Sequence, residues 1–272
     1  MTKPILKVER LTTMQQFEQC TKIQAAVWGE DFADRVSQNQ INILARVGGI
    51  CAGAINEADK VVGFVLSFGG YDNDGLLHWS DLMGVMPGYR DGGIGRRLKL
   101  KQRELCMADN VTRVEWSFDP LVARNAHFNL NRIGVEIIEY VPRFYESTGS
   151  ALHRLPLDRH VARWTLNAPR VQRYADGDFG TPEPADAAPV LNDRLQPEIA
   201  ESAIGDQQLR IEVPLDIIAI LESDIDQAIS IQEGVRAAFL ATLSFGYNVS
   251  YFYRDETDNR SYYVLDNKEE FS

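Results

Sequence analysis

The stretch Val85-Met-Pro-Gly-Tyr-Arg90-Asp-Gly-Gly93-Ile-Gly95-Arg-Arg97 decides the fold. Ahead of it, Leu76 to Met86 is apolar enough for a buried strand, and Pro87 with Gly88 ends that strand. Beyond it, Ile94, Leu98 and Leu105 repeat at helical spacing up to Met107, which predicts that Gly92 to Gly95 form the first turn of a helix. The free N–H groups of such a turn and the positive end of the helix dipole favour a phosphate. Glycines let the phosphate oxygens approach the backbone closely. A strand, a glycine turn and a helix in this order make an anion cradle.

Spacing narrows the ligand. A Walker loop needs Gly, four residues, then Gly-Lys-Ser/Thr, and the chain has no such run. The dinucleotide fingerprint Gly-x-Gly-x-x-Gly is absent as well. What stands here is Arg90-x-x-Gly93-x-Gly95 after a Val-x-Pro strand end, and this resembles the acyl-CoA pyrophosphate loop of the GNAT acetyltransferases (Gcn5-related N-acetyltransferases). The resemblance implies acetyl-CoA or another acyl-CoA as co-substrate. It places Arg90, Asp91, Gly92, Gly93, Ile94, Gly95 and Arg96 around the donor's phosphates.

The flanking chain fits the same family. Lys7 to Leu11 reads as a first strand, and Met14 to Trp28 as a helix with Phe17, Ile23 and Val27 among its apolar positions. Ile50 to Asn56 and Lys60 to Tyr71 form a hairpin pattern around Glu57-Ala-Asp59. Arg113 to Phe118 is a further strand, and Asp119-Pro120 should open a helix that Gly134 closes. Val135 to Val141 and His160 to Leu166 are the remaining strands. The order β-α-α-β-β-β-α-β-α-β-β is similar to the GNAT order over roughly Ile5 to Leu166. The expected class is therefore α/β (α+β), a GNAT-type mixed, mostly antiparallel central sheet flanked by helices. Within the family, Trp116-Ser-Phe-Asp-Pro-Leu121, Arg124-Asn-Ala-His-Phe-Asn129 and Ala162-Arg-Trp-Thr-Leu166 resemble a poorly characterised bacterial and archaeal branch of predicted acetyltransferases.

Composition sets bounds. The 272 residues are 44% hydrophobic, enough for a substantial core. No run approaches the ~20 apolar residues of a membrane span, and the amino terminus has no apolar signal core. Cys20, Cys51 and Cys106 lie far apart without metal spacing, which reads as reduced thiols in a cytoplasmic protein; no metal is expected. A net charge of −11 disfavours nucleic acid as a main partner. Yet Gly88 to Arg103 carries Arg90, Arg96, Arg97, Lys99, Lys101 and Arg103 against Asp91 alone, a local excess suited to CoA phosphates. Lys99, Lys101 and Arg103 read as a solvated helix face, Arg90 and Arg96 as phosphate contacts.

Gly84 inside the apolar strand marks a bulge, a close backbone approach or simple packing. By the resemblance, the strand splays from its neighbour here, and Met83 and Val85 bond the pantetheine arm. Asn125 would lie near that arm, or cap local backbone. Strand alternation puts Trp79, Asp81, Met83 and Val85 on one face and His78, Ser80 and Leu82 on the other. Asp81 is the candidate general base, with His78 in reserve; the alternative for Asp81 is a hydrogen-bonded strand carboxylate. Many GNAT enzymes hold an acid tyrosine where this chain has Leu130, so Tyr145 is the candidate acid and packing its alternative.

After Leu166 the character changes. Residues 168–208 form a proline-rich linker or an arm wrapped over the first domain, which spans 1–167. Residues 209–272 make a smaller strand-helix-hairpin appendage, where Arg236 and Tyr251 could line an acceptor pocket or serve as ordinary surface. Three functions compete. The first is an N-acyltransferase acting on a small-molecule amine, with no nucleic acid or membrane partner and a homodimer left open. The others are a non-catalytic acyl-CoA sensor and a protein N-acetyltransferase.

Overall fold

The computed structural model describes residues 7–145, 155–180 and 186–267. Ile5 and the proline-rich centre at 181–185 lie outside them. The elements run β1 (Lys7–Arg10), α1 (Met14–Trp28), α2 (Gln38–Arg46), β2 (Ile50–Ile55), β3 (Val61–Asp72), β4 (Gly75–Val85), α3 (Ile94–Ala108) and β5 (Arg113–Phe118). They continue as α4 (Ala123–Phe128), β6 (Glu136–Tyr145), β7 (Leu157–Thr165), α5 (Pro169–Ala175), β8 (Gln208–Val213), α6 (Ile217–Ser223), α7 (Ile225–Ser244), β9 (Tyr247–Asp255) and β10 (Arg260–Asn267). The larger sheet has the hydrogen-bonded order β1-β2-β3-β4-β5-β7-β6, and the smaller one β8-β10-β9. The class is mixed α/β with a mostly antiparallel central sheet flanked by helices, as the element pattern predicts.

The chain forms two compact units, and the split does not follow the sequence-based division at residue 167. Of the described residues, the first holds 7–116 with Trp164–Ala175; the second holds 117–145, 155–163, 176–180 and 186–267. Chain order misleads here because β5 and β7 each run from one unit into the other.

In the first unit β1 to β4 are antiparallel neighbours and β5 joins β4 in parallel. One face of β3, with Phe64 and Leu66, packs on Phe17, Cys20 and Ile23 of α1 and Ile41 of α2. Thr13 with Gln16, and Ser37 with Gln40, close capping boxes that start those two helices. The opposite face, with Gly63, lies under Ile94 of α3. The buried side of α3 reads Ile94, Leu98, Lys99, Gln102 and Cys106, so Lys99 belongs to the interior and not to a solvated face. Lys101 pairs with Glu104, and Arg103 donates to the Leu166 carbonyl at 2.8 Å and to Gln172.

In the second unit β6 and β7 are antiparallel, and α7 buries Phe239 and Val235. Helix α4 begins at Ala123, later than expected. Asp119 instead accepts from Leu121 N at 2.8 Å, so Asp119-Pro120 shape a turn ahead of the helix. Gly134 in the left-handed conformation (φ 79°) ends the following π-helical turn, as predicted. The segment after 186 packs on its own unit. Asn192 exchanges hydrogen bonds with the backbone of Glu212 at 2.9 and 2.8 Å, copying a strand pairing. A Cβ on Gly234 of α7 would stand 2.4 Å from the Gln196 carbonyl oxygen.

His160 of β7 is wholly buried among Phe118, Tyr140, Phe239 and Tyr263, with ring centroids 4.4–5.5 Å away. Among the described residues neither of its ring nitrogens has a hydrogen-bond partner. Burial pulls its pKa down to about 3, against an opposing pull from the Glu139 backbone.

Gly234→Ala should destabilise the fold by about 1–3 kcal/mol, read from the urea midpoint, because the close approach leaves no room for a methyl group. For His160 the sign is fixed by the lowered value. The unfolded imidazole takes up a proton near pH ~6.5 and the folded one does not, so stability falls as pH drops from there toward 3. His160→Phe should flatten that acid limb in urea titrations at several pH values, with little loss at neutral pH.

Candidate functional site

The glycine turn is built from both sides. After β4, Pro87–Tyr89 form a single tight turn, and Tyr89 is held by Asn56 Nδ2 donating to its hydroxyl at 3.1 Å. Asp91 and Gly93 both take left-handed backbone, at φ 63° and 74°. That reversal aims the chain into α3, with Gly93 as its N-cap and no side chain capping it. The first internal bond is Arg97 N to Gly93 O at 3.1 Å, so the N–H groups of Ile94, Gly95 and Arg96 precede the ladder. Asp91, Gly92 and Gly93 are exposed and Ile94 is buried as the anchor.

The arginines are less simply disposed. Arg90 is exposed, and its Nε donates to the Val85 carbonyl at 3.3 Å. Arg96 donates to the Tyr174 and Ala175 carbonyls at 2.6 and 2.9 Å, at the C-terminal end of α5. That side chain serves the packing of α5, not a phosphate contact.

Strand β4 supplies the rest. Its register with β3 shifts between Leu66↔Leu82 and Ser67↔Ser80, leaving Asp81 as the extra residue of a bulge. The bulge therefore sits at Asp81, not at Gly84. One extra residue inverts the alternation, so Met83 and Val85 share the α3 face with His78 and Ser80, and Trp79 does not. Gly84 is a packing glycine, since a Cβ there would meet Ile23 at 3.2 Å and Trp28 at 3.3 Å. Met86 N donates to Val62 O at 2.9 Å, which fixes the parity of the ladder. The peptide groups of Gly84 therefore point toward β3, and those of Met83 and Val85 point away from it.

On that outward side β4 meets β5 at His78↔Val114 and Trp79↔Glu115, and pairing stops before Ser80 and Trp116. The two strands fork there.

Asp81 is exposed on the bulge. Protein still surrounds enough of its carboxyl for desolvation to raise its pKa, and Asp34 adds to the rise. Asp34 lies in the loop between α1 and α2, which is tied down by buried Gln24. That amide donates to Val36 O at 2.9 Å and accepts from Val36 N at 2.8 Å. Neither Gln24 nor Asp34 stood out in the sequence, since no local pattern marks a glutamine that fastens a loop. His78 is buried with Nδ1 3.2 Å from Ser67 Oγ, and burial lowers its pKa. It is a core residue, not a reserve base.

Two other expected site residues fall in the second unit. Tyr145 ends β6, partly exposed, with its ring against Phe144 and under Arg159. Asn125 is half-buried on α4, whereas Asn131 makes the structural bonds, to Phe252 O at 2.6 Å and from Phe252 N at 3.0 Å. Arg236 is committed to Asp158 through Nε at 2.8 Å and Nη2 at 3.0 Å, and Tyr140 donates to the same carboxylate at 2.7 Å. Tyr251 packs against Ala188 and Val264. These two serve the fold of the second unit.

Among the described residues no His/Cys/Asp/Glu group could hold a metal ion, and no helix is long and apolar enough to cross a membrane. No protein-family model matches the chain, and no curated protein matches it. Solved structures with a similar fold include an acetyltransferase of the GNAT family from Staphylococcus aureus Mu50. It is 18% identical, over 60% of this chain and 100% of that one, with a TM-score of 0.46. The ribosomal-protein-S18-alanine N-acetyltransferase from Escherichia coli is 12% identical, over 60% and 96%, at 0.48. Arabidopsis thaliana NAA60, solved with a bisubstrate analogue, is 15% identical, over 59% and 97%, at 0.47.

The turn yields a direct expectation. On the acyl-CoA expectation raised by the sequence resemblance, Gly93→Asp should weaken acetyl-CoA binding by about tenfold or more in calorimetric titration, since it adds a negative charge at the positive, N-terminal end of α3. The left-handed strain alone is worth about 1–2 kcal/mol, so thermal denaturation should show a modest drop beside it.

Proposed function

We propose that the first unit is an acyl-CoA-dependent N-acyltransferase, with acetyl-CoA as donor and a small-molecule amine as acceptor. One observation carries the reading. A strand whose outward peptide groups lie past a fork runs directly into an uncapped glycine turn at a helix N-terminus. This arrangement suits a ligand with an amide-bearing arm at one end and a pyrophosphate at the other. The first-turn N–H groups of α3 would take the pyrophosphate, with Arg90 free to swing from the Val85 carbonyl toward it. Met83 and Val85 would extend their peptide groups to the pantetheine arm as a strand would.

The chemistry follows from this placement. An alkylamine with a pKa near ~10.4 costs about 4.6 kcal/mol to hold neutral at pH 7. Asp81, whose pKa desolvation and Asp34 raise from the ordinary aspartate value, is a better base than an unshifted aspartate and takes that proton, directly or through water. The amine lone pair then forms a bond to the thioester carbon, the C–S bond breaks, and the second proton of the new amide nitrogen passes through water to the departing CoA thiolate. Tyr145 is given no step. Two carboxylates, Asp81 and Asp34, favour an acceptor that arrives as an ammonium ion.

Turnover with acetyl-CoA and a panel of small amines tests the reading, beside a panel of peptides with free amino termini. Transfer to small amines supports it; transfer to peptides alone replaces it with a protein acetyltransferase, and binding without transfer with a sensor. In the active case kcat/KM should rise with pH in two steps, the lower one from Asp81. Asp81→Asn should remove that lower step and cost about 100-fold in kcat/KM. Full activity across the pH range would remove Asp81 from the mechanism.

A further inference from the structure

Helix α3 leaves the glycine turn and, little more than a turn later, sets Lys99 against the sheet, only 3% exposed. Its Nζ donates to Ser80 Oγ at 2.9 Å and to Gln102 Oε1 at 3.1 Å. The same nitrogen stands 3.5 Å from the centroid of the Trp116 ring and 6.0 Å from that of Trp164. The two indoles meet edge to face at 6.0 Å, so the cation–π surface is fixed in place. Gln102 Nε2 donates to Ser80 Oγ at 3.1 Å and holds the hydroxyl from a second side.

The position of this cluster is what gives it meaning. Strands β4 and β5 pair at His78↔Val114 and Trp79↔Glu115. Ser80 and Trp116 are the next residue on each strand, where pairing ends. The Lys99 amine therefore joins the first residue of β4 past the fork to the first residue of β5 past it. A buried lysine is a costly choice for a core: desolvation draws its pKa down to about 7, against an opposing pull from Cys106. An apolar residue of similar volume would pack a plain core at least as stably.

We infer that Lys99 is a positioning residue: held between Ser80 and Trp116, its amine fixes the spacing of the β4–β5 fork and so the width of the opening that receives the acyl-pantetheine arm. It acts through Ser80, three residues before Met83, and touches neither the phosphates nor the reacting atoms. The inference rests on the acyl-CoA reading and adds to it the element that sets the geometry of the arm.

The test compares two ligands. Wild type, Lys99→Met and Ser80→Ala are titrated calorimetrically with acetyl-CoA and with 3′-phospho-ADP, which has the nucleotide end of CoA and no pantetheine. Lys99→Met should lose about tenfold or more in acetyl-CoA affinity while 3′-phospho-ADP stays within about twofold, and Ser80→Ala should shift the same way by less. A lysine with only a structural role would weaken both ligands together or neither, and either result overturns the inference alone. Wild type that binds neither ligand overturns the acyl-CoA reading, and the inference with it. Should Lys99→Met fail to fold, Ser80→Ala decides by the same comparison.

Discussion

The pairing of β4 with β5 ends after Trp79 and Glu115, and most of what the first unit can do depends on that ending. A fully paired strand has its peptide groups consumed on both sides; β4 past the fork pairs with β3 on one side and, among the described residues, with no strand on the other, where the Val85 carbonyl accepts from Arg90 Nε. The bulge at Asp81 is the second half of the same device. It inverts the alternation of the strand just beyond the fork, so that Met83 and Val85 turn toward α3 and a carboxylate is left standing out at the bend. A one-residue insertion thus sets backbone donors, a carboxylate and a helix N-terminus on one short stretch of chain.

The charge pattern is consistent with that use. The protein is acidic overall, and the cations near the turn are largely occupied: Arg96 on the end of α5, Arg103 on Leu166 and Gln172, Lys101 on Glu104, Lys99 inside the core. What remains for an anion is mostly backbone, the uncapped N–H groups of α3, with Arg90 beside them. Backbone donors need no rotamer ordering, which suits a turn whose conformation Gly93 has already fixed. On the other side of β4, Asp81 and Asp34 repel one another, and the buried amide of Gln24 holds the loop that carries Asp34.

How much of this could be read from the sequence depended on how local each signal was. The strand, the glycine turn and helix α3 were legible because Pro87, Gly93 and the Ile94–Leu98 spacing act within a few residues. The Asp81 bulge was not, since it exists only in the register of β4 against β3. Gly84 misled for the same reason: a glycine in a strand fits a bulge or a tight contact, and only the packing of Ile23 and Trp28 distinguishes them. Lys99 was misread because a lysine between arginines looks solvated, although its position beside Leu98, Gln102 and Cys106 places it on the buried stripe. The late start of α4 followed from an Asx turn competing with a helix cap, two uses of Asp119 that share one sequence pattern. The two-unit division could not be read along the chain at all, because β5 and β7 cross it.

The central claim is that the fork of β4 and the turn at Gly93 together hold an acyl-CoA. Calorimetric titration of the full chain with acetyl-CoA, beside dephospho-CoA, tests it most directly. The account predicts binding in the micromolar range that weakens when the 3′-phosphate is removed. Absence of binding to both ligands would contradict it and leave the fold without the donor that its geometry implies.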